Sequence, residues 1–113
     1  MINKELLSEV FNQEVRFIKY VANNTYEIHF EKPTRLKYII INMYELAHKC
    51  KEWAYKEGFI IDTGFHKYYI NQFKANCYGW VSSNINIKQH FNECTEQEAI
   101  FKACQWILDN KED

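Results

Sequence analysis

The chain has 113 residues, a formal net charge of −1, 47% hydrophobic residues and 26% charged residues. This length suits one domain with a core of its own, and the near-average composition excludes wholesale disorder. The balanced charge provides no general basic excess to bind a phosphate backbone, and it lacks the strong acidity of a nucleic-acid mimic.

The N-terminal sequence MINKELLSEVF lacks the apolar core of a secretory signal. No apolar run approaches the length of about 18 residues that a membrane-spanning helix needs. We therefore expect a cytoplasmic protein that makes no membrane contact. Its four cysteines should then be reduced thiols.

The first part of the chain predicts a short helix and three strands. Apolar residues at helical spacing indicate a helix over Ile2–Phe11. Alternating apolar and charged residues predict strands over Glu14–Tyr20 and Thr25–Lys32, joined by a turn at Ala22-Asn23-Asn24-Thr25. Leu36–Ile41, which follows a break at the single proline, predicts a third strand.

The alternation within the hairpin also predicts which side chains are buried. Val15 and Phe17 alternate with charged residues and should share the buried face of the first strand. In the second strand Tyr26, Ile28 and Phe30 should lie on one face, and Glu27, His29 and Glu31 on the other.

Two amphipathic helices are predicted from their apolar stripes and their end signals. Met43–Glu57 is preceded by Asn42, a helix-capping residue with Glu45 three positions later, and is followed by Gly58, which suits a left-handed C-terminal residue. The final helix begins after Thr95, whose hydroxyl is expected to accept from the Glu98 N–H, and Asn110 begins a frayed tail.

Between these helices the boundaries follow short β-rich runs. Phe59–Ile61, Tyr68–Phe73 and Ile85–Phe91 are predicted strands, and Gly79-Trp80 opens another strand or a loop. Strands in runs rather than in strict alternation with helices predict an α+β fold. We expect a single domain over residues 1–113, with a mostly antiparallel sheet, two main amphipathic helices and a short N-terminal helix.

The sequence offers little catalytic chemistry. Cys50 and Cys104 lie on the apolar stripes of the two helices and should behave as small hydrophobic residues. Cys77 and Cys94 fall in or near loops, and no CxxC pair is present, so we predict no metal site. His29 and His66 could act as bases, but neither has a recognisable partner. We predict no catalytic residue and no cofactor.

Aromatic residues make up 17% of the chain, more than one small core readily holds. Surplus aromatic side chains at a surface are typical of protein interfaces. The predicted interaction surface consists of His66, Lys67, Tyr68, Tyr69, Phe73, Lys74 and Trp80. Its mixture of rings and basic groups also resembles surfaces that stack single-stranded nucleic acid.

The segments ELAHKCKEWAYKEGF and EAIFKACQWILDN, with short aromatic strands between them, are similar to small phage and prophage proteins with the so-called ABA-sandwich domain. Those proteins carry an acidic, alanine-rich helix at the C-terminus, and Glu98, Ala99 and Ala103 fit its E-A-x-x-x-A-like pattern. The resemblance covers roughly Glu45 to Asp109. It implies a phage accessory role and transfers no site residue.

Together these features favour a non-enzymatic protein-binding or accessory protein, phage-derived and, in its sharpest form, an inhibitor of a host complex. Its partner would be another protein or a second copy of the chain in a homodimer. A nucleic-acid-binding module using the Tyr68–Lys74 face is the alternative, and a small enzyme with His66 as its base is ranked last.

Overall fold

The computed structural model describes residues 2–32, 37–65, 77–83, 86–93 and 95–110. The elements are α1 (Lys4–Phe11), β1 (Val15–Ala22), β2 (Thr25–Phe30), β3 (Tyr38–Asn42), α2 (Met43–Lys56), β4 (Ile60–Phe65), β5 (Cys77–Ser83), β6 (Asn86–Glu93) and α3 (Glu96–Asn110). The chain divides into two compact units, Met1–Lys49 and Cys50–Asp113. The predicted α+β class is confirmed, whereas one domain over residues 1–113 stays a prediction.

The first unit contains a three-stranded antiparallel sheet in the order β1-β2-β3, with α1 against β1. Leu6 and Leu7 of α1 and Ile28 of β2 are fully buried in this unit. The Phe11 and Phe30 rings meet edge to face, with centroids 5.9 Å apart. Burial of these apolar side chains holds the helix on one face of the sheet.

The predicted β-hairpin is confirmed, and its turn follows from two asparagines. Asn23 and Asn24 both have positive φ angles, 53° and 57°. A two-residue turn with both φ angles positive has the twist that antiparallel strands need, and Asn tolerates this conformation well. Ala22 and Thr25 pair directly across it.

Asparagine residues also lie at both ends of α1. The Asn3 Oδ1 accepts from the Glu5 N–H at 2.7 Å and from the Leu6 N–H at 3.4 Å, so the helix begins after Asn3 rather than at Ile2. At the other end Asn12 takes the left-handed conformation, with φ 51°.

Both predicted end signals of α2 are confirmed. The Asn42 Oδ1 accepts from the Glu45 N–H at 2.8 Å. At the C-terminus Gly58 has φ 93°, its N–H donates to the Tyr55 carbonyl, and the Phe59 N–H donates to the Ala54 carbonyl. These two bonds form a Schellman motif, which satisfies the last helical carbonyls.

The second unit contains the antiparallel sheet β4-β5-β6, and α3 packs against all three of its strands. Ile61 and Val81 are directly paired and buried, as is Ile107 of α3. The strands therefore form two sheets, whereas the sequence predicted one. The predicted strand Tyr68–Phe73 lies outside the described residues, and Gly79-Trp80 belongs to a strand, not a loop.

The start of α3 is as predicted, but its end is not. The Thr95 hydroxyl accepts from the Glu98 N–H at 3.1 Å. The prediction that Asn110 belongs to a frayed tail is wrong, because α3 includes Asn110 and its side-chain amide donates to the Trp106 carbonyl at 2.8 Å. Within the described ranges, no helix combines the length and the hydrophobicity that crossing a membrane would require.

We expect Asn42→Ala to lower the free energy of unfolding by about 1 kcal/mol, because the Glu45 N–H loses its acceptor. Asn42→Asp keeps an acceptor at the same place and should stay within about 0.5 kcal/mol of wild type. Urea unfolding followed by circular dichroism measures both variants, and equal losses for the two would contradict the capping role.

Candidate functional site

The structure describes little of the predicted interaction surface. His66, Lys67, Tyr68, Tyr69, Phe73 and Lys74 all lie outside the described residues. Trp80 is half-buried on β5, the central strand of the second sheet, where its backbone pairs with Asp62 and His90. Since its neighbour Val81 faces the core, Trp80 lies on the opposite face of that sheet.

A β-bulge in β1 changes which residues face solvent in the first unit. Val15 pairs with Phe30, but Phe17 pairs with His29, so Arg16 is an extra residue in the strand. The bulge places Val15 on the buried face and Phe17 on the other, where 43% of Phe17 is exposed. The prediction that Val15 and Phe17 share a buried face is therefore wrong.

The face of the first sheet opposite the core is called here the open face. It includes two rows of directly paired residues across β1, β2 and β3 that carry its large side chains. One row is Phe17, His29 and Tyr38, and the other is Lys19, Glu27 and Ile40. Tyr38 is 42% exposed and Ile40 is 65% exposed, so the face presents large apolar side chains to solvent.

The first row of the open face is a continuous stack of rings. The Phe17 and His29 centroids are 4.1 Å apart and nearly parallel, and the His29 and Tyr38 centroids are 4.8 Å apart. The Arg16 guanidinium lies 5.9 Å from the Phe17 centroid, within cation–π range. Cross-strand stacking of this kind holds the exposed rings in fixed positions.

The two rows are joined by a hydrogen bond between side chains on β2. The His29 Nε2 lies 3.0 Å from the Glu27 Oε1, and both side chains are about one-fifth exposed. Alternation on β2 places both side chains on the same face. The bond orients the imidazole within the ring stack, so His29 has a structural role that its sequence context did not indicate.

Register within the sheet is the signal that could have revealed the open face. Tyr38, Ile39, Ile40 and Ile41 form an uninterrupted apolar run, which by itself does not say which side chains face solvent. Directly paired residues share a face, so the partners of polar residues on β2 must share their exposure. Pairing Tyr38 with His29 would have placed Tyr38, and with it Ile40, outside the core.

A shallow cleft lies at the end of this sheet where β1 begins, β2 ends and β3 begins. It has a volume of about 280 Å³ and is lined by Arg16, His29, Phe30, Glu31 and Lys37. Pockets for drug-sized ligands usually occupy about 300–1,000 Å³. The volume of the cleft lies close to the lower end of that range.

The open face has little net charge. Lys19 and Glu27 pair directly across β1 and β2 and balance each other. At the cleft, Glu31 opposes both Arg16 and Lys37, which leaves an excess of one positive charge. Tracking a nucleic-acid backbone requires a clear positive excess, which these residues do not supply.

The helix cysteines lie in the core, as predicted. Cys50 and Cys104 are both fully buried, and the Cys104 thiol donates to the Cys50 carbonyl at 3.4 Å. Hydrogen bonding to Cys50, then burial, then repulsion from the Cys50 sulfur raise the pKa of the Cys104 thiol above its ordinary value. A raised pKa keeps the thiol protonated at neutral pH, which is the opposite of what nucleophilic attack requires.

The other candidate metal ligands form no cluster among the described residues. Across the described ranges, no group of three or more His, Cys, Asp or Glu side chains is arranged to hold a metal ion. Cys94 lies outside those ranges, and Cys77 is the first residue of β5.

The adjacent pair Ile40 and Ile41 tests the assignment of the two sheet faces. Ile41→Ala removes a side chain that is only 4% exposed and should cost about 2–5 kcal/mol of stability. Ile40→Ala should change stability by no more than about 0.5 kcal/mol, apart from any effect of self-association. Chemical unfolding at low protein concentration measures both, and equal losses would contradict the register.

Alkaline pH should destabilise the chain through Cys104. Above the unfolded-state pKa of a thiol, about 8.5, only the unfolded chain loses this proton, so the folded state binds more protons and stability falls as pH rises. The slope contributed by this thiol approaches about 1.4 kcal/mol per pH unit.

Cys104→Ala should remove that part of the slope in urea unfolding between pH 8 and pH 10. Ile107→Val is a matched core control on the same helix, since it lowers stability without removing a thiol. An unchanged slope in Cys104→Ala would show that the Cys104 thiol is not held protonated in the folded state.

No family model, curated protein or solved structure matches the chain. The resemblance of Glu45 to Asp109 to phage ABA-sandwich proteins therefore stays a prediction.

Proposed function

We propose that the chain is a non-enzymatic protein-binding protein whose contact surface is the open face of the first sheet. The observation that carries this proposal is the exposure of large apolar side chains on a regular, rigid sheet face. Contiguous apolar patches are costly to leave in water and usually mark interaction sites.

Two features of the open face favour a protein as the partner. Its aromatic side chains are already held by stacking and by the bond between His29 and Glu27, so binding would cost little side-chain entropy. Tyr38 and Ile40 supply area to bury, while Lys19 and Glu27 can form part of a polar rim. The phage accessory role and inhibition of a host complex rest on the sequence resemblance and belong to this proposal as predictions.

Single-stranded nucleic acid is the second candidate, and one observation favours it. The Phe17–His29–Tyr38 stack, with Arg16 beside it, resembles in arrangement the ring platforms on which bases stack. The sequence assigned this role to the Tyr68–Lys74 face, and the described residues offer the open face as another location.

Photo-crosslinking distinguishes the two candidates in the cells that make the protein. A benzophenone amino acid would replace Ile40 on the open face, and in a control chain it would replace Glu98, which is exposed on α3. We expect a discrete protein adduct from position 40 and none of that mass from position 98.

The adduct partner, once identified by mass spectrometry and purified, should lose at least about tenfold in affinity when Tyr38 is changed to Asp, because burying an unpaired charge is unfavourable. A nuclease-sensitive adduct would instead support the nucleic-acid candidate. Identical adduct patterns from positions 40 and 98 would contradict the open face as a contact surface.

A further inference from the structure

Among the strands that the structure describes, β1 and β3 form the two edges of the first sheet, and they differ in how well they are protected against further pairing. β1 carries register shifts on both sides of its centre, between Val15 and Phe17 and between Tyr20 and Ala22, and it includes charged residues. Bulges and charged side chains at an edge block the addition of another strand. β1 is therefore a poor template for pairing.

β3 has none of these protections. Its sequence, YIIIN, contains no charged residue and no proline, and its register with β2 is unbroken from Tyr38 to Asn42. Of the other described edge strands, β4 contains Asp62 and β6 contains Lys88 and Glu93. A flat, apolar and uncharged edge is a ready template for another strand.

The alternation of hydrogen bonds between β2 and β3 shows which backbone groups of β3 point away from β2. The Phe30 N–H donates to the Lys37 carbonyl at 3.3 Å, and the Met43 N–H donates to the Asn24 carbonyl at 2.7 Å. Hydrogen-bonded positions alternate along an antiparallel strand, so Ile39 and Ile41 face β2 between these two bonds. The N–H and C=O groups of Tyr38 and Ile40 and the N–H of Asn42 therefore point outward, whereas the Asn42 carbonyl accepts the first hydrogen bond of α2.

We infer that β3 pairs antiparallel with β3 of a second copy of the chain, about a two-fold axis at Ile40. This inference rests on the proposed function and names the partner. Ile40 is the central residue of the strand and has outward groups, so it can oppose its own copy. Tyr38 then opposes Asn42 of the second copy. The three opposed positions supply about four inter-chain hydrogen bonds, because the Asn42 carbonyl of each copy is already an acceptor within α2.

Charge and exposure both suit self-pairing. No charged side chain lies within the strand, so pairing opposes no like charges, and the net charge of −1 per chain adds little repulsion. Ile40, at 65% exposed, would lie beside its own copy and lose contact with water. The two open faces would join into one face of a six-stranded sheet.

The inference is tested on the full chain by light scattering after size exclusion, over a range of concentrations. Wild type should move from the mass of one chain, 13.7 kDa, to that of two chains as concentration rises. Ile40→Pro removes an outward N–H without breaking the β2–β3 ladder. It should raise the dimer dissociation constant by about 30-fold or more, since two inter-chain hydrogen bonds are lost.

Two further variants keep the test decisive if proline disturbs folding. Ile40→Lys opposes two like charges at the axis and should also weaken the dimer, while Val21→Lys places the same charge at an exposed position on β1 and should not. In hydrogen exchange, the Ile40 and Asn42 amides should gain protection as the dimer forms.

A wild-type chain that remains monomeric at millimolar concentration would overturn the inference. A dimer that is insensitive to both Ile40 variants, or one that Val21→Lys disrupts equally, would overturn it as well. The inference and the proposed function can fail independently. If position 40 cross-links to an unrelated protein while the chain is monomeric, the open face is still a contact surface, and only the second copy is excluded as the partner.

Discussion

The architecture of the first unit depends on the alternation of β2. Ile28 and Phe30 are buried, which leaves Glu27 and His29 on the opposite side. Because β2 is the central strand, its alternation determines the orientation of both neighbours. Tyr38 and Ile40 face solvent because of their pairing partners, although their own hydrophobicity would favour burial.

The same local devices recur in both units. In each, a three-stranded antiparallel sheet precedes a helix that begins at a side-chain cap, at Asn42 in one case and at Thr95 in the other. Short-range signals of this kind act within a few residues and do not depend on tertiary contacts. This explains why the starts of α2 and α3 follow from sequence more readily than the strand ends.

The limits of sequence reasoning are visible at particular residues. The Asn23-Asn24 turn, the Gly58 terminus and the burial of Cys50 and Cys104 were predictable because local conformation or helical periodicity determines them. The bulge at Arg16 was not, because it appears only when two strands are aligned. The candidate site was missed for the same reason, since exposure of the open face is set by pairing between strands.

The bulged geometry of β1 has a consequence for assembly beyond a pair of copies. Had both edges of the sheet been flat, strands could have added at each end without limit, as they do in fibrils. The extra residues near Arg16 and Val21 make the outer margin irregular, so growth through this sheet would stop once the β3 edges had met. In the proposed dimer, this irregular strand would thus limit assembly to a finite complex.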